Sequence, residues 1–155
     1  MFSPTIKQLL AEKNDTFIIP VAKIAFVQAN NPLYHAFLIL TRVKYAKIPV
    51  LDQENHVVGL ISLAMITATM MGTHEITSEP LNSLKVRDVM ETNFDKINLS
   101  ESTLESQLHL LIDNPFLPVV DNHDIFQGLL TRRKWIKAFN YITHNLEKKY
   151  KIIKK

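Results

Sequence analysis

Residues Lys47–Thr67 read KIPVLDQENHVVGLISLAMIT, and residues Phe116–Lys137 read FLPVVDNHDIFQGLLTRRKWIK. At a spacing of 69 residues the two coincide twice. Ile48-Pro49-Val50-Leu51-Asp52 falls on Leu117-Pro118-Val119-Val120-Asp121, and Gly59-Leu60-Ile61-Ser62 falls on Gly128-Leu129-Leu130-Thr131. Two separate motifs at one spacing mark an internal repeat, and a repeat governs the fold more strongly than any single element. Upstream the spacing slips by one, so that Val27-Gln28-Ala29-Asn30 faces Ile97-Asn98-Leu99-Ser100.

Each copy has the same order of elements. A short strand (Ile24 to Val27, then Lys96 to Leu99) is followed by a polar cap and an amphipathic helix. In the second copy Ser100-Glu101-Ser102-Thr103 offers the caps, and Leu104, Leu108 and Leu111 recur at helical spacing. In the first, Asn30-Asn31-Pro32 opens the helix, with proline near its first turn. A strand ending in Pro-Val-x-Asp follows, then a polar turn, a strand ending in Ser or Thr, and a second helix. One copy is too small to bury its own apolar face, so the two are expected to pack into a single α/β module.

Composition agrees. Of 155 residues, 46% are hydrophobic and 21% charged, which suits a folded domain and not a disordered chain. There is no cysteine, which removes disulfides and thiolate metal sites and fits a reducing, cytoplasmic setting. The opening MFSPTIKQLLAEK lacks the pattern of a signal peptide, and Leu60–Gly72 is too short to span a bilayer. The net charge of +3 owes much to the end of the chain, Glu147–Lys155 (EKKYKIIKK). Such a tail could touch nucleic acid, but cations at a helix C-terminus are ordinary. With only three glycines there is no phosphate loop of the Walker or dinucleotide kind, and no nucleophile-base-acid set stands out, so no catalysis is expected. His74 and Glu75 are adjacent and not at ligand spacing, and His56 and His123 read as turn residues, so no metal is expected either.

These residues together resemble a pair of CBS motifs, the Bateman module. The resemblance rests on Leu84-Lys85-Val86-Arg87-Asp88-Val89-Met90 opening the second copy, the two Pro-Val-x-Asp strands and the two Gly-x-x-Ser/Thr strand ends. It runs over nearly the whole chain: motif one at 10–72, a linker at 73–83, motif two at 84–145, and a basic tail at 146–155. The resemblance implies adenine-nucleotide clefts related by a pseudo-twofold axis, and commonly a flat homodimer. Met65, Met70 and Met71, read as lying on one helix, are candidates for core or interface.

In that family an Asp three residues after the Ser or Thr commonly holds the ribose. Here the residue is Met65 after Ser62 and Lys134 after Thr131, so a plain AMP or ATP site is disfavoured. One cleft mouth instead carries Arg132 and Arg133 at a helix start, suited to bidentate phosphate binding. Cations there oppose the helix dipole, which a purely structural role leaves unexplained. Lys23 adds a further cation. Tyr45 offers a ring to stack on a base, and Ala25, Ala46, Ile48 and Pro49 would let a base approach the backbone. This set resembles the small stand-alone CBS proteins of Gram-positive bacteria that bind cyclic di-AMP. The likeness implies a non-enzymatic regulator whose ligand controls a partner protein, such as a Rel-type (p)ppGpp synthetase. The alternatives are an AMP/ATP sensor and a basic-tail nucleic-acid-binding scaffold. The second cleft, near Thr92, Asn93, Asn114 and Pro118 with Ser62, lacks cations in this reading and should bind weakly. Trp135 is expected to pack its helix on the core.

Overall fold

The computed structural model describes residues 2–12 and 17–149. In chain order its elements are α1 (Pro4–Glu12), β1 (Ile18–Pro20), a 3-10 turn (Val21–Lys23), β2 (Val27–Gln28) and α2 (Leu33–Arg42). Then come β3 (Lys47–Leu51), β4 (Val57–Ser62), α3 (Leu63–Met70), α4 (Glu79–Ser83) and a second 3-10 turn (Val86–Asp88). The second copy continues with β5 (Ile97–Asn98), α5 (Leu104–Asp113), β6 (Phe116–Val120), β7 (Phe126–Thr131) and α6 (Arg132–Lys149). End residues from 150 onward, including most of the expected basic tail, lie outside the described residues.

The repeated Asp explains the hairpins. Asp52 Oδ1 accepts the backbone N–H of Glu54 and His56, and Asp121 Oδ1 accepts those of His123 and Ile125. Each carboxylate thus folds its own turn. Asn55 and Asp124, again 69 apart, hold left-handed φ values of 68° and 64°, a conformation that Asn and Asp tolerate best among residues with a Cβ. The flanking strands pair antiparallel with matching registers, Lys47 opposite Ser62 and Phe116 opposite Thr131. β2 runs parallel to β3 and β5 parallel to β6, the helix between supplying each crossover.

The copies are separate in sequence but exchanged in space. β1 leaves its own copy and pairs antiparallel with β7, giving a sheet ordered β1-β7-β6-β5 beside a sheet β2-β3-β4. Reciprocally, Glu91 lies across Leu60 of β4, with both backbone hydrogen bonds at 2.9 Å. The segment before it docks on the first copy: Leu33 N–H donates to Leu84 O, Val86 N–H to Asn31 O and Arg87 N–H to Ala29 O. Leu81 and Val86 accordingly belong to the first copy's core with Val27, Leu33, Ile48, Ile61 and Ile66. The second core holds Leu111, Leu117, Leu130 and Trp135, covered by Leu9 and Leu10 of α1. Leu51, Val57, Val120 and Phe126 seal the junction between the copies.

Two sequence expectations need correction. The leading strands are shorter than read: only Val27–Gln28 and Ile97–Asn98 pair, because β3 and β6 run beside the chain only there. Met71 does not continue the helix of Met65 and Met70. It follows α3, is 62% exposed and pairs with Ile76 in the polar linker. Trp135 is 1% exposed and stacks on Phe17 at 4.9 Å between ring centroids, as expected for a core residue.

Candidate functional site

The glycine of each copy marks where the exchanged segment crosses. A Cβ on Gly128 would stand 2.3 Å from Ile19 O, and one on Gly59 would stand 2.7 Å from Met90 Sδ and 2.9 Å from Glu91 O. Only hydrogen fits between the crossing backbones. Past the crossing at Gly59 a loop of the second copy faces the strand ends of the first, and a cleft forms there.

One cleft is a cavity of about 200 Å³ lined by Lys47, Leu60, Glu91, Asn93, Phe94, Asp95, Asn114, Pro115 and Phe116. It is the second cleft of the sequence reading, with a corrected lining. Asn93 and Asn114 line it. Pro118 is buried in β6, Thr92 lies outside the lining, and Ser62 Oγ is turned to the first turn of α3, where it accepts Met65 N–H at 3.1 Å. Nor does the cleft lack a cation. Lys47 Nζ enters it and is paired with Glu91 Oε2 at 2.5 Å, while Asn114 Nδ2 donates to Asp95 Oδ2 at 2.8 Å.

The repeat spacing carries Asn114, Pro115 and Phe116 onto Tyr45, Ala46 and Lys47, and Leu60 onto Leu129. Their crossing partners Glu91 and Ile19 correspond through their pairing with those two leucines and not through the spacing itself. The loop that contains Lys23 and Ala25 then stands for Asn93–Asp95, and its 3-10 turn packs against β7. Tyr45 is 56% exposed just before β3. Lys23 and Ala46 are exposed and Ala25 is half-buried. Ile48 and Pro49 are buried side chains of β3, so a ligand could meet only their backbone there. Lys47 and Phe116 were missed by sequence reasoning. Their signal was the position before hydrophobic-Pro-Val in both copies, masked because one is a cation and the other a ring.

The cations after β7 have unequal surroundings. Thr131 Oγ1 accepts Lys134 N–H at 3.3 Å and so caps α6. Arg132 turns to the C-terminus of α5: Nε–H donates to Leu111 O at 2.7 Å and an Nη2–H to Ile112 O at 2.9 Å. A guanidinium has five N–H donors, and two of them are thereby used on orphan helix carbonyls. The bland structural reading therefore accounts for part of Arg132. Arg133 is exposed beside it.

At the junction between the copies His56 Nδ1 lies 2.9 Å from Asp52 Oδ2. That hydrogen bond, with the charges of Asp52, Asp124 and Glu54, raises the His56 imidazole above its ordinary value despite its partial desolvation. Desolvation pushes Asp52 up, but the His56 ring, its N–H and its charge outweigh it and hold the carboxyl low. Asp52, Glu54 and His56 bring ligand-type atoms within 4.8 Å of one another, yet the Asp52 oxygens are committed to turn N–H groups and the imidazole. Among the described residues no helix is long and apolar enough to cross a membrane.

Comparison with known proteins agrees with this architecture. The family model described as CBS domain matches residues 18–72. Over 148 residues the chain is 34% identical to the cyclic di-AMP receptor B of Bacillus subtilis, covering 96% of this chain and all of that protein. The crystal structure of CbpB from Streptococcus agalactiae is 27% identical with a TM-score of 0.85, over 99% of this chain and 96% of that one. CbpB of Listeria monocytogenes in complex with c-di-AMP is 44% identical with a TM-score of 0.76, over 87% of this chain and 97% of that one.

Proposed function

Because this chain belongs to the CBS-domain family that includes cyclic di-AMP receptor B, we propose that it is a non-enzymatic regulator that binds cyclic di-AMP between its repeats. The cleft is the one reached by Lys23, Ala25, Tyr45, Ala46, Ile48, Pro49, Thr131, Arg132 and Arg133. The observation that carries the reading is the pair of guanidiniums opening α6, where the other copy opens its helix with Leu63 and Ala64. Arg132 is oriented by the α5 carbonyls and keeps its remaining donors for a phosphate, and Arg133 supplies a second fork. Tyr45 stacks on one adenine, an exposed ring that costs little to cover. The absence of a ribose carboxylate at Lys134 suits a ligand whose 3′ oxygens are already esterified.

The ligand bridges the two copies and so favours one arrangement of the cleft rim. It can shift a partner surface only to the extent that it prefers that arrangement. In this reading the protein is a homodimer in the cytoplasm. Its ligand-free form engages a partner protein, a Rel-type alarmone synthetase, and cyclic di-AMP ends the contact. Exposed Tyr34 and Leu38, one turn apart on α2, support an apolar interface of this kind.

Isothermal titration calorimetry with cyclic di-AMP, AMP and ATP in parallel tests the ligand. Saturable binding of the cyclic dinucleotide in preference to the other two is the expected result. Binding of AMP or ATP alone would move the protein to the energy sensors of the same fold.

A further inference from the structure

The two clefts occupy equivalent places in the fold and carry opposite charge. Where the first has Ile19 at the crossing, the second has Glu91. The first has a cation, Lys23, in its loop, and the loop Asn93–Asp95 of the second contributes the carboxylate of Asp95. Where the first opens its helix with Arg132 and Arg133, the second has Leu63 and Ala64. The one cation lining the second cleft, among the described residues, is Lys47, and it is already bound to the Glu91 carboxylate.

We propose that Glu91 is a specificity-determining residue that closes the second cleft to anionic nucleotides, and so limits each chain to one cyclic di-AMP. Its carboxylate occupies Lys47 as a phosphate would. With Asp95 it leaves two carboxylates against one ammonium around a cavity of about 200 Å³. A phosphate entering here meets net negative charge at short range with no free counter-charge. Glu91 is held by its backbone on Leu60, so its side chain can be changed without undoing the crossing. The pair is also partly exposed, Lys47 at 36% and Glu91 at 32%, so the gate depends on one contact that substitution can open.

The inference rests on the proposed ligand class for stoichiometry, but not for the gate itself, and the test separates the two. Cyclic di-AMP and ATP are titrated into the wild type, Glu91→Gln, and Glu91→Gln combined with Lys47→Met. Side-chain amide resonances of Asn93 and Asn114 report the second cleft. The expected result is one cyclic di-AMP per wild-type chain and a second in Glu91→Gln. ATP affinity should gain roughly tenfold or more. Both gains should vanish in the double variant, and the two Asn signals should move only in Glu91→Gln. Unchanged stoichiometry and unchanged ATP affinity in Glu91→Gln would overturn the gate. So would two ligands per wild-type chain with the Asn signals moving. If the wild type binds no cyclic di-AMP, the proposed function fails, and the gate is judged on ATP alone. A gain in Glu91→Gln that Lys47→Met removes supports it, and no gain overturns it.

Discussion

Arg132 Nε–H donates to the carbonyl oxygen of Leu111 at 2.7 Å, so the first residue of α6 holds the last turn of α5. The same guanidinium is assigned to the ligand phosphate, and the two duties predict different behaviour from its neighbour. Arg132→Ala removes a cation and two hydrogen bonds from a helix C-terminus, at a cost of about 1–2 kcal/mol. Arg133→Ala should change stability by less than about 0.5 kcal/mol. Both should weaken cyclic di-AMP. Urea unfolding without ligand, beside calorimetry with it, separates the structural loss from the binding loss.

Tyr45 lies outside every core cluster and is 56% exposed. Tyr45→Ala should leave the urea midpoint unchanged and weaken cyclic di-AMP by about 1–3 kcal/mol, the worth of one base on an aromatic platform. Tyr45→Phe keeps the ring and should bind within a small factor of the wild type. Equal losses in both variants would point to the hydroxyl instead of the ring.

Gly128 admits no Cβ because Ile19 O stands 2.3 Å from where it would be. Gly128→Ala must push β1 from β7, and a loss of about 1–3 kcal/mol is expected from overpacking. The loss should come with faster amide exchange at Ile18 and Ile19. Unchanged exchange there would show that the sheet absorbs the methyl group elsewhere.

His56 ties the turn of the first copy to acidic groups of both, Asp52 and Glu54 on its own turn and Asp124 across the junction. Its folded pKa is raised above the ordinary imidazole value of about 6.5. The stabilisation is therefore complete below that value and lost as pH rises through the raised folded one. Denaturant midpoints measured from mildly acidic to mildly alkaline pH should fall across that window, and His56→Gln should flatten the fall. The Asp52 carboxyl, held low, acts at the other end: its contribution is lost as pH falls through its folded value.

Much of this protein was legible in its sequence because the repeat is written in local chemistry. The Asp of each Pro-Val-x-Asp strand bonds the N–H groups of the next few residues, and Ser62 and Thr131 cap the helices they precede. Such contacts span few residues, so the residues that make them announce the turn and the helix start. The glycines were visible as a motif, but their reason was not. It lies in backbone that arrives from Ile19 and Glu91, far along the chain or across the copies.

The sequence by itself determined the α/β repeat, its hairpins and caps, and the basic start of α6. Only the tertiary structure decided that β1 joins the other copy's sheet, that Arg132 is shared with the α5 carbonyls, and that Lys47 enters the second cleft only to meet Glu91. Those outcomes depend on pairs 44 residues apart for Lys47 and Glu91 and 21 apart for Arg132 and Leu111. Whether a cation is free or already partnered follows from which segments the packed core brings together, and no local pattern of residues encodes that.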